Sequence, residues 1–415
     1  TRGRANLLRD LIRGPLTLNH GPLSIVHGLS SFDAKKIEAT APALDLCLAC
    51  QGCKAECPSG VDMAKLKFAF QAEYYKTHRR KLRDYVFGYF HVTAGLASSI
   101  APLTNALMGF TPIRNFVAKS LGITPERPFP TFASKRAKLL ITKIRGRGRR
   151  INFLSDPFSR YIEPEAEQAA FDLLSTCGLD VHVLPILGAG ASFLSKGFMD
   201  QARTHAARVL DRLNDVDPGY EATVVGMEPP EIYAFKHDYL DLLPQRAQEI
   251  EQRVDNLWLL DEFLLRSTEF NDLRVANTGQ LDFLKNGLPT GKLNFHPHCH
   301  QRAQGPLPDG LPNGTSATLE LLRSCGYDVE LMDTGCCGMA GTFGYEAEHY
   351  ELSMQVGELK LFPEIRKEDR GNGARVIASG AACRMQIRQG TGVEAMHPIL
   401  LVAKQVQDWK SHGTG

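Results

Sequence analysis

The chain is 415 residues long and 43% hydrophobic, enough for a packed core in two or three domains and too apolar for wholesale disorder. Its 48 Lys and Arg nearly balance 46 Asp and Glu, and a formal net charge of +2 sets up no field that would gather nucleic acid. Four of the ten cysteines fall between Cys47 and Cys57, and two more are adjacent at Cys336 and Cys337. Such clusters in a long chain suit metal ligands in a reducing, cytoplasmic compartment rather than a secreted disulfide scaffold.

Residues 1–82 are expected to form a helical, ferredoxin-like iron–sulfur unit. Thr1-Arg2-Gly3-Arg4 carries no signal-peptide pattern and no initiating Met, and an amphipathic helical pattern follows from Ala5 to Arg13. The chain therefore reads as a piece of something longer. Cys47-x-x-Cys50-x-x-Cys53-x-x-x-Cys57-Pro58 has the bacterial ferredoxin spacing, in which short loops aim backbone amides at the sulfurs of a 4Fe-4S cluster. Zinc sites more often pair two separated Cys-x-x-Cys units. In two-cluster proteins the cysteine before the proline serves the other cluster. No second such motif occurs in the chain, so either the partner motif precedes Thr1 or all four cysteines close one cluster.

Residues 83–149 read as a helical, partly apolar connector. Tyr85 to Phe110 lacks Asp, Glu, Lys and Arg, but Pro102, Asn105 and three glycines dilute its hydrophobicity. The expectation is a pair of buried helices; the alternative is a peripheral contact with the inner membrane. A basic run follows, with eight Lys or Arg from Lys135 to Arg150 and no acid, by default a solvated face.

The remainder contains a divergent internal repeat. Leu173-Leu174-Ser175-Thr176-Cys177-Gly178 matches Leu321-Leu322-Arg323-Ser324-Cys325-Gly326, an offset of 148 from Cys177 to Cys325. Ile151-Asn152-Phe153 matches Leu293-Asn294-Phe295 at an offset of 142, and Ala222-Thr223-Val224-Val225 matches Ala374-Arg375-Val376-Ile377 at 152. Each copy reads strand, helix, strand, helix, strand, which predicts an α/β fold of two small parallel-sheet modules, residues 150–285 and 286–415. Strands are expected at Arg150–Leu154, Val181–Pro185 and Thr223–Gly226, helices at Glu165–Thr176 and Gly197–Leu213, and a sheet-covering helix within Leu243–Leu265.

The second module carries His298-Cys299-His300, then Gly335-Cys336-Cys337-Gly338, then Cys383, each where a strand ends and a helix begins. Cys299, Cys336, Cys337 and Cys383 with His298 and His300 are candidate ligands for iron, zinc or an iron–sulfur cluster. At the same offsets the first module has Pro157, Gly188, Ala189 and Glu231, so it reads as a copy without metal ligands. Cys177 and Cys325 occur in both copies and read as core; His349 and His397 are candidate supporting groups or packing residues.

Leu46-Cys47 through Asp62-Met63, the Cys-Cys-Gly stretch running on to Gly338-Met339-Ala340-Gly341-Thr342-Phe343-Gly344-Tyr345, and the opening Thr1-Arg2-Gly3-Arg4-Ala5-Asn6 together resemble one family. The resemblance is to the C-terminal iron–sulfur half of bacterial FAD-linked D-2-hydroxyacid dehydrogenases, similar to D-lactate and D-2-hydroxyglutarate dehydrogenases. The wider group includes iron–sulfur subunits of glycolate oxidase and anaerobic glycerol-3-phosphate dehydrogenase, and Cys-Cys-Gly subunits of heterodisulfide reductase. The resemblance implies FAD in a preceding domain or partner subunit and Thr1 lying just past a further cysteine motif, so that Cys47, Cys50 and Cys53 are expected to serve one 4Fe-4S cluster and Cys57 its neighbour. It implies electron transfer from flavin to a quinone or a soluble carrier. The absence of a G-x-G-x-x-G fingerprint fits a chain that is inactive as a dehydrogenase alone. Two alternatives stand: a separate iron–sulfur subunit of a glycolate oxidase or glycerol-3-phosphate dehydrogenase complex, or a metal module acting directly on a thiol or acid substrate.

Overall fold

The computed structural model describes residues 3–7, 34–58, 60–134, 148–277, 292–368 and 375–412. Thr1, Arg2, the helical pattern beyond residue 7 and residues 135–147 of the basic run lie outside the described residues.

The regular elements of the N-terminal part, among its described residues, are all helices. A turn of helix at residues 3–7 is followed by α1 (Ala34–Asp45), α2 (Gly52–Glu56) and α3 (Met63–Thr77). Asp62 caps α3, its Oδ1 accepting from the Lys65 amide at 3.0 Å. Leu44, Met63, Ala69 and Phe70 form a small core between α1 and α3.

The segment expected to be a pair of buried helices is instead α4 (Leu82–Gly88), α5 (Phe90–Ser99), α6 (Ala101–Gly109) and α7 (Thr111–Leu121), and it is largely unburied. Leu96 is 67% exposed, Ile100 56% and Phe116 74%. Gly88, Pro102 and Pro112 break the run into pieces, and α5 and α6 are too short to sink both sides of an all-apolar helix. No helix among the described residues is long and apolar enough to cross a membrane.

The α/β part begins with β1 (Arg150–Leu154), α8 (Pro157–Tyr161), α9 (Pro164–Thr176), β2 (Asp180–Val183), α10 (Ala191–Ser195), α11 (Met199–Val216), β3 (Thr223–Gly226) and α12 (Pro229–Leu242). It continues through α13 (Ala247–Val254), β4 (Leu257–Leu259), α14 (Leu260–Arg266), α15 (Thr268–Ala276), β5 (Leu293–His296), α16 (Cys299–Arg302), α17 (Gly314–Ser324) and β6 (Val329–Leu331). It ends with α18 (Tyr350–Leu359), α19 (Leu361–Glu368), β7 (Arg375–Ala378), α20 (Ala381–Thr391) and α21 (Pro398–His412). The strand order is β2-β1-β3-β4 in one sheet and β6-β5-β7 in the other, and every pairing is parallel. Ile151 pairs with Val181 and Thr223, and Leu293 pairs with Val329 and Arg375. These are the residues that the three sequence offsets equate. Buried runs such as Thr223–Gly226 and Leu293–His296 are typical of parallel strands covered on both faces.

The stretch Leu243–Leu265 is not one covering helix. It contains α13, then β4 as a fourth strand, then α14. A strand of three residues, Leu257-Trp258-Leu259, is too short to break a helical periodicity visibly. Elsewhere the expected elements lie within a few residues of those observed. In α11, Ala202, Ala206, Val209, Leu210 and Leu213 recur at three- and four-residue spacing and are all buried.

One apolar cluster spans both sheets, running from Phe153 and Phe171 to Phe295, Leu321, Val406 and Trp409. Helix α9 packs on α21 and α14 packs on α17, so each sheet's helices cover the other's. Cys325 belongs to this core and Cys177 packs against it.

Candidate metal centre

The first cysteine motif lies in the loop from α1 to α2. Ala49 (φ 49) and Gln51 (φ 58) flank Cys50 in the left-handed region, a conformation that costs about 1–2 kcal/mol per non-glycine residue. Such strain persists where surrounding contacts over-determine it, commonly at ligand-holding sites. Here Lys67 of α3, 6% exposed, donates to the Cys47 carbonyl at 2.6 Å and the Asp45 carbonyl at 3.3 Å. Cys53 sits within α2, and Cys57 caps it, its amide donating to the Cys53 carbonyl at 2.9 Å. Burial raises the Cys53 thiol above its ordinary range, and Cys47 and Cys50 add to the shift.

The second set is gathered at the carboxyl ends of β5, β6 and β7. His296 closes β5, and His298 caps α16, its Nδ1 accepting from the His300 amide at 3.2 Å. Cys336 and Cys337 lie in the loop after β6. Gly338 has φ 93, and a Cβ there would stand 2.2 Å from the Ser353 carbonyl oxygen, so only glycine fits. Cys383 lies in the first turn of α20 after β7. A Cβ on Gly380 would stand 2.3 Å from His298 Cδ2, so the β7–α20 loop must pass close to the His298 ring.

The two sets meet. Cys50 and Cys336 stand close enough for each thiol to shift the ionisation of the other, as do Cys336 and Cys337, and Cys337 and Cys383. Cys299 lies near enough to Cys336, Cys50 and Cys337 for their charges to raise its thiol, after burial, the larger cause. Five cysteines thus converge, four from the C-terminal part and one from the ferredoxin-type loop. The ligand atoms of His296, Cys337 and Cys383 lie within 4.8 Å of one another, and so do those of His298, Cys299 and His300. Cys299, Cys336, Cys337 and Cys383, with His296, His298 and His300, line a cavity of about 130 Å³ that also takes in Glu228, Tyr233 and the two neighbours of Cys50, Ala49 and Gln51.

Burial keeps these donors uncharged. The neighbouring Cys337 thiol pushes Cys336 up to about 12, with burial adding. Cys50 is raised by Cys336 and then by burial. Burial lowers His296 to about 3 and His300 to about 4, and holds His298 well below its ordinary value. A soft cation offers such thiols and imidazoles a replacement for their protons, and binding then releases protons. A donor set dominated by sulfur, with imidazoles beside it, fits an iron–sulfur or thiolate-bound metal centre.

Around the donors, the first module braces the second. Arg384 of α20 is held by Glu163, with Nε to Oε2 at 2.9 Å, and donates to the Ala378 and Ser379 carbonyls at 2.8 Å each. Glu228, 3% exposed, accepts from the Ala381 amide at 3.3 Å. Lys54 of α2 donates to the Tyr233 hydroxyl at 2.7 Å, and the Tyr233 ring meets His300 edge-on at 4.7 Å.

Beside the other sheet, Glu231 of α12 occupies the position that the sequence offset of 152 sets against Cys383. Glu231 Oε2 accepts from the amides of Ala189 (2.6 Å) and Ala191 (3.2 Å). A Cβ on Gly188 would lie 2.9 Å from this carboxyl group. Burial raises Glu231 to about 7. The loop around Ala189 is therefore held to α12 through its backbone amides.

Of the residues singled out in the sequence, the structure brings Cys299, Cys336, Cys337, Cys383, His298 and His300 to one cavity and Cys50 close to Cys336. His349 and His397 are engaged elsewhere. His349 bridges Glu346 (3.0 Å) and Asp45 (2.9 Å), and His397 Nδ1 accepts from the Ile399 amide at 3.1 Å. His296 by itself carries no ligand signal in the sequence, being the last residue of a short, fully buried strand. The pattern that could have found it is the alternation His296-Pro297-His298-Cys299-His300, which puts three imidazoles at one strand end. The bracing role of Glu163 and Glu228 has no sequence signal, since it depends on how the modules dock.

No protein-family model matches the chain. It is 23% identical to the D-2-hydroxyglutarate dehydrogenase of Escherichia coli K12 over 96% of this chain and 40% of that protein. It is 24% identical to the Pseudomonas putida protein of the same name over 87% of this chain and 34% of the relative. It is 25% identical to a subunit of the anaerobic glycerol-3-phosphate dehydrogenase of E. coli K12, over 84% of this chain and 83% of that relative. The chain thus spans two fifths or less of the D-2-hydroxyglutarate dehydrogenases but most of the length of a dehydrogenase subunit, and its similarity throughout is to oxidoreductases.

Proposed function

We propose that this chain is the electron-transfer iron–sulfur portion of a flavin-dependent D-2-hydroxyacid dehydrogenase, with D-lactate or D-2-hydroxyglutarate oxidised at FAD in a partner domain or subunit. The observation that carries the reading is the gathering of Cys299, Cys336, Cys337 and Cys383 around one cavity, with Cys50 close to Cys336. In this reading Cys47, Cys50 and Cys53 hold a 4Fe-4S cluster, and Cys57 serves that cluster or its neighbour. Cys299, Cys336, Cys337 and Cys383, with His298 and His300, hold a second centre beside it. When bound, such clusters supply reversible one-electron carriage with little rearrangement. The protein's own residues bury the site, fix the loops through Lys67, Arg384 and Glu228, and keep water from the donors.

The two sheets support a reading of residues 150–285 and 286–415 as two copies of one Cys-Cys-Gly-type module, the first without metal ligands. Their strand orders and registers agree with the sequence offsets.

The test is iron, acid-labile sulfide and electron paramagnetic resonance on the anaerobically purified chain, with hydroxyacid oxidation assayed with and without a flavin-bearing partner. Iron and sulfide in equal amounts, with no oxidation by the chain alone, are expected. A chain that binds zinc and no iron, or that oxidises hydroxyacid unaided, would sink the reading. The separate-subunit reading is favoured by the even coverage in the glycerol-3-phosphate dehydrogenase match, 84% of this chain against 83% of the relative. Co-purification with an independent flavoprotein would select it.

A further inference from the structure

A second cavity abuts the cysteine cavity, and its character is different. Phe87, Phe90, Phe158, Gly341, Thr342 and Ala382 line both. The second cavity, about 200 Å³, runs from them beneath α5 and α6, walled by Ala94, Ala97, Met108, Phe129, Phe132 and Met385. Among its hydroxyls, Thr93 donates to the Val86 carbonyl at 2.9 Å and Thr104 to the Ala97 carbonyl at 3.0 Å. Thr342 Oγ1, at the junction of the two cavities, is buried without a hydrogen-bond partner among the described residues. An orphaned buried hydroxyl costs about 1–3 kcal/mol unless a ligand satisfies it.

The helices that wall this cavity are apolar on their other side as well. On α5, Phe90, Ala94 and Ala97 face the cavity while Val92 and Leu96 are exposed; on α6, Met108 faces it while Leu103 and Leu107 are exposed. Ile100, Phe110 and Phe116 extend the exposed face. No Asp or Glu occurs between Asp84 and Glu126, whereas Arg114 and Lys119 do. Short helices with exposed apolar side chains, and with cations and no acids beside them, suit the interface of an anionic bilayer, and none of these helices spans one.

We propose that the apolar cavity binds the ring of a lipid-soluble quinone, with Thr342 donating to a ring carbonyl, and that the outer face of α5–α7 seats on an anionic membrane from which the quinone enters. The inference rests on the electron-relay reading for the kind of ligand, and it assigns that ligand a place and a route.

The experiment uses the full 415-residue chain. Calorimetric titration with a ubiquinone bearing one isoprene unit should show saturable binding. Ala97→Trp, which fills the cavity, should weaken it at least tenfold, and Thr342→Val severalfold, each with an unchanged melting temperature. Co-sedimentation with phosphatidylglycerol vesicles should exceed that with phosphatidylcholine vesicles. The triple variant Leu96→Ser, Leu103→Ser, Phe110→Ser should abolish it while sparing quinone binding. Absence of saturable quinone binding, unaltered binding in both Ala97→Trp and Thr342→Val, or equally tight competition by oleate would overturn the proposal. Iron content of the same samples judges the relay reading separately. A chain without iron that binds quinone as described upholds the cavity and sinks the relay. A chain with iron that binds no quinone does the reverse.

Discussion

Cys50 and Cys336 stand thiol to thiol, the first from the loop between α1 and α2, the second from the loop after β6. The helical N-terminal part and the C-terminal sheet therefore meet at sulfur atoms. Cys50→Ser and Cys336→Ser are each expected to remove iron from the anaerobically purified chain, and the double variant to remove little more than the worse single one. In urea denaturation the two substitutions should be non-additive by about 0.5–3 kcal/mol, as for residues sharing a site. Additive losses would show that the two neighbouring centres form without support from one another.

Much of this arrangement was legible in the sequence because it rests on local spacing. The Cys47–Cys57 motif, the glycines around Cys336-Cys337 and the three offsets that equate strands are all short-range patterns. The meeting of Cys50 with Cys336 was not legible, because nothing local says which loop faces which strand end. The exposure of α4–α7 was misjudged for a related reason. Apolar composition predicts burial only when a partner surface exists, and Leu96, Ile100 and Phe116 have none among the described residues. The three residues of β4 carry too few positions to establish a period of two.

The Glu231 carboxylate of the first module gives a second prediction. Glu231→Ala leaves the amides of Ala189 and Ala191 without their acceptor and should cost about 2–4 kcal/mol. Glu231→Gln keeps an acceptor oxygen and should cost about 1 kcal/mol or less at pH 8. Burial raises Glu231 to about 7. Its charged form is thus disfavoured in the fold, and wild-type stability loses ground as pH climbs from its ordinary 4.5 through about 7. Glu231→Gln removes this slope. Chemical denaturation at pH 6 and pH 8 measures both effects, and iron content should stay at the wild-type level.

Gly338 offers a test of how tightly the Cys336-Cys337 loop is held. Gly338→Ala forces a side chain into the left-handed region and puts its Cβ against the Ser353 carbonyl, which is backbone and cannot swing away. The conformational part alone costs about 1–2 kcal/mol, and the clash adds to it. The melting temperature should fall and iron should be lost together. Gly335→Ala, where a Cβ meets nothing within 4 Å, is the control and should leave both nearly unchanged.

The last prediction concerns pH and the buried ion network beneath the ferredoxin-type loop. Glu346 gathers Lys196, Arg83 (3.1 Å) and His349 (3.0 Å), and His349 reaches on to Asp45 (2.9 Å) while stacking on Phe343 at 4.1 Å. Burial would raise Glu346, but Lys196, then His349 and Arg83, outweigh it and hold the carboxylate well below its ordinary 4.5. Burial would lower His349, but its hydrogen bonds to Asp45 and Glu346 outweigh that and raise it from 6.5 to about 9. Glu346 therefore stabilises the fold above about pH 4.5 and less as pH falls below it. His349 contributes fully below 6.5 and loses its contribution as pH rises through about 9. Together they favour a plateau from about pH 4.5 to 6.5 and a decline above it. Asp45 is half exposed, so solvent screening trims the His349 share to about 1–2 kcal/mol. His349→Gln should lose that amount at pH 6 and much less at pH 10, flattening the alkaline limb of a denaturation series. An alkaline limb that keeps its wild-type slope in His349→Gln would show that the decline comes from other groups.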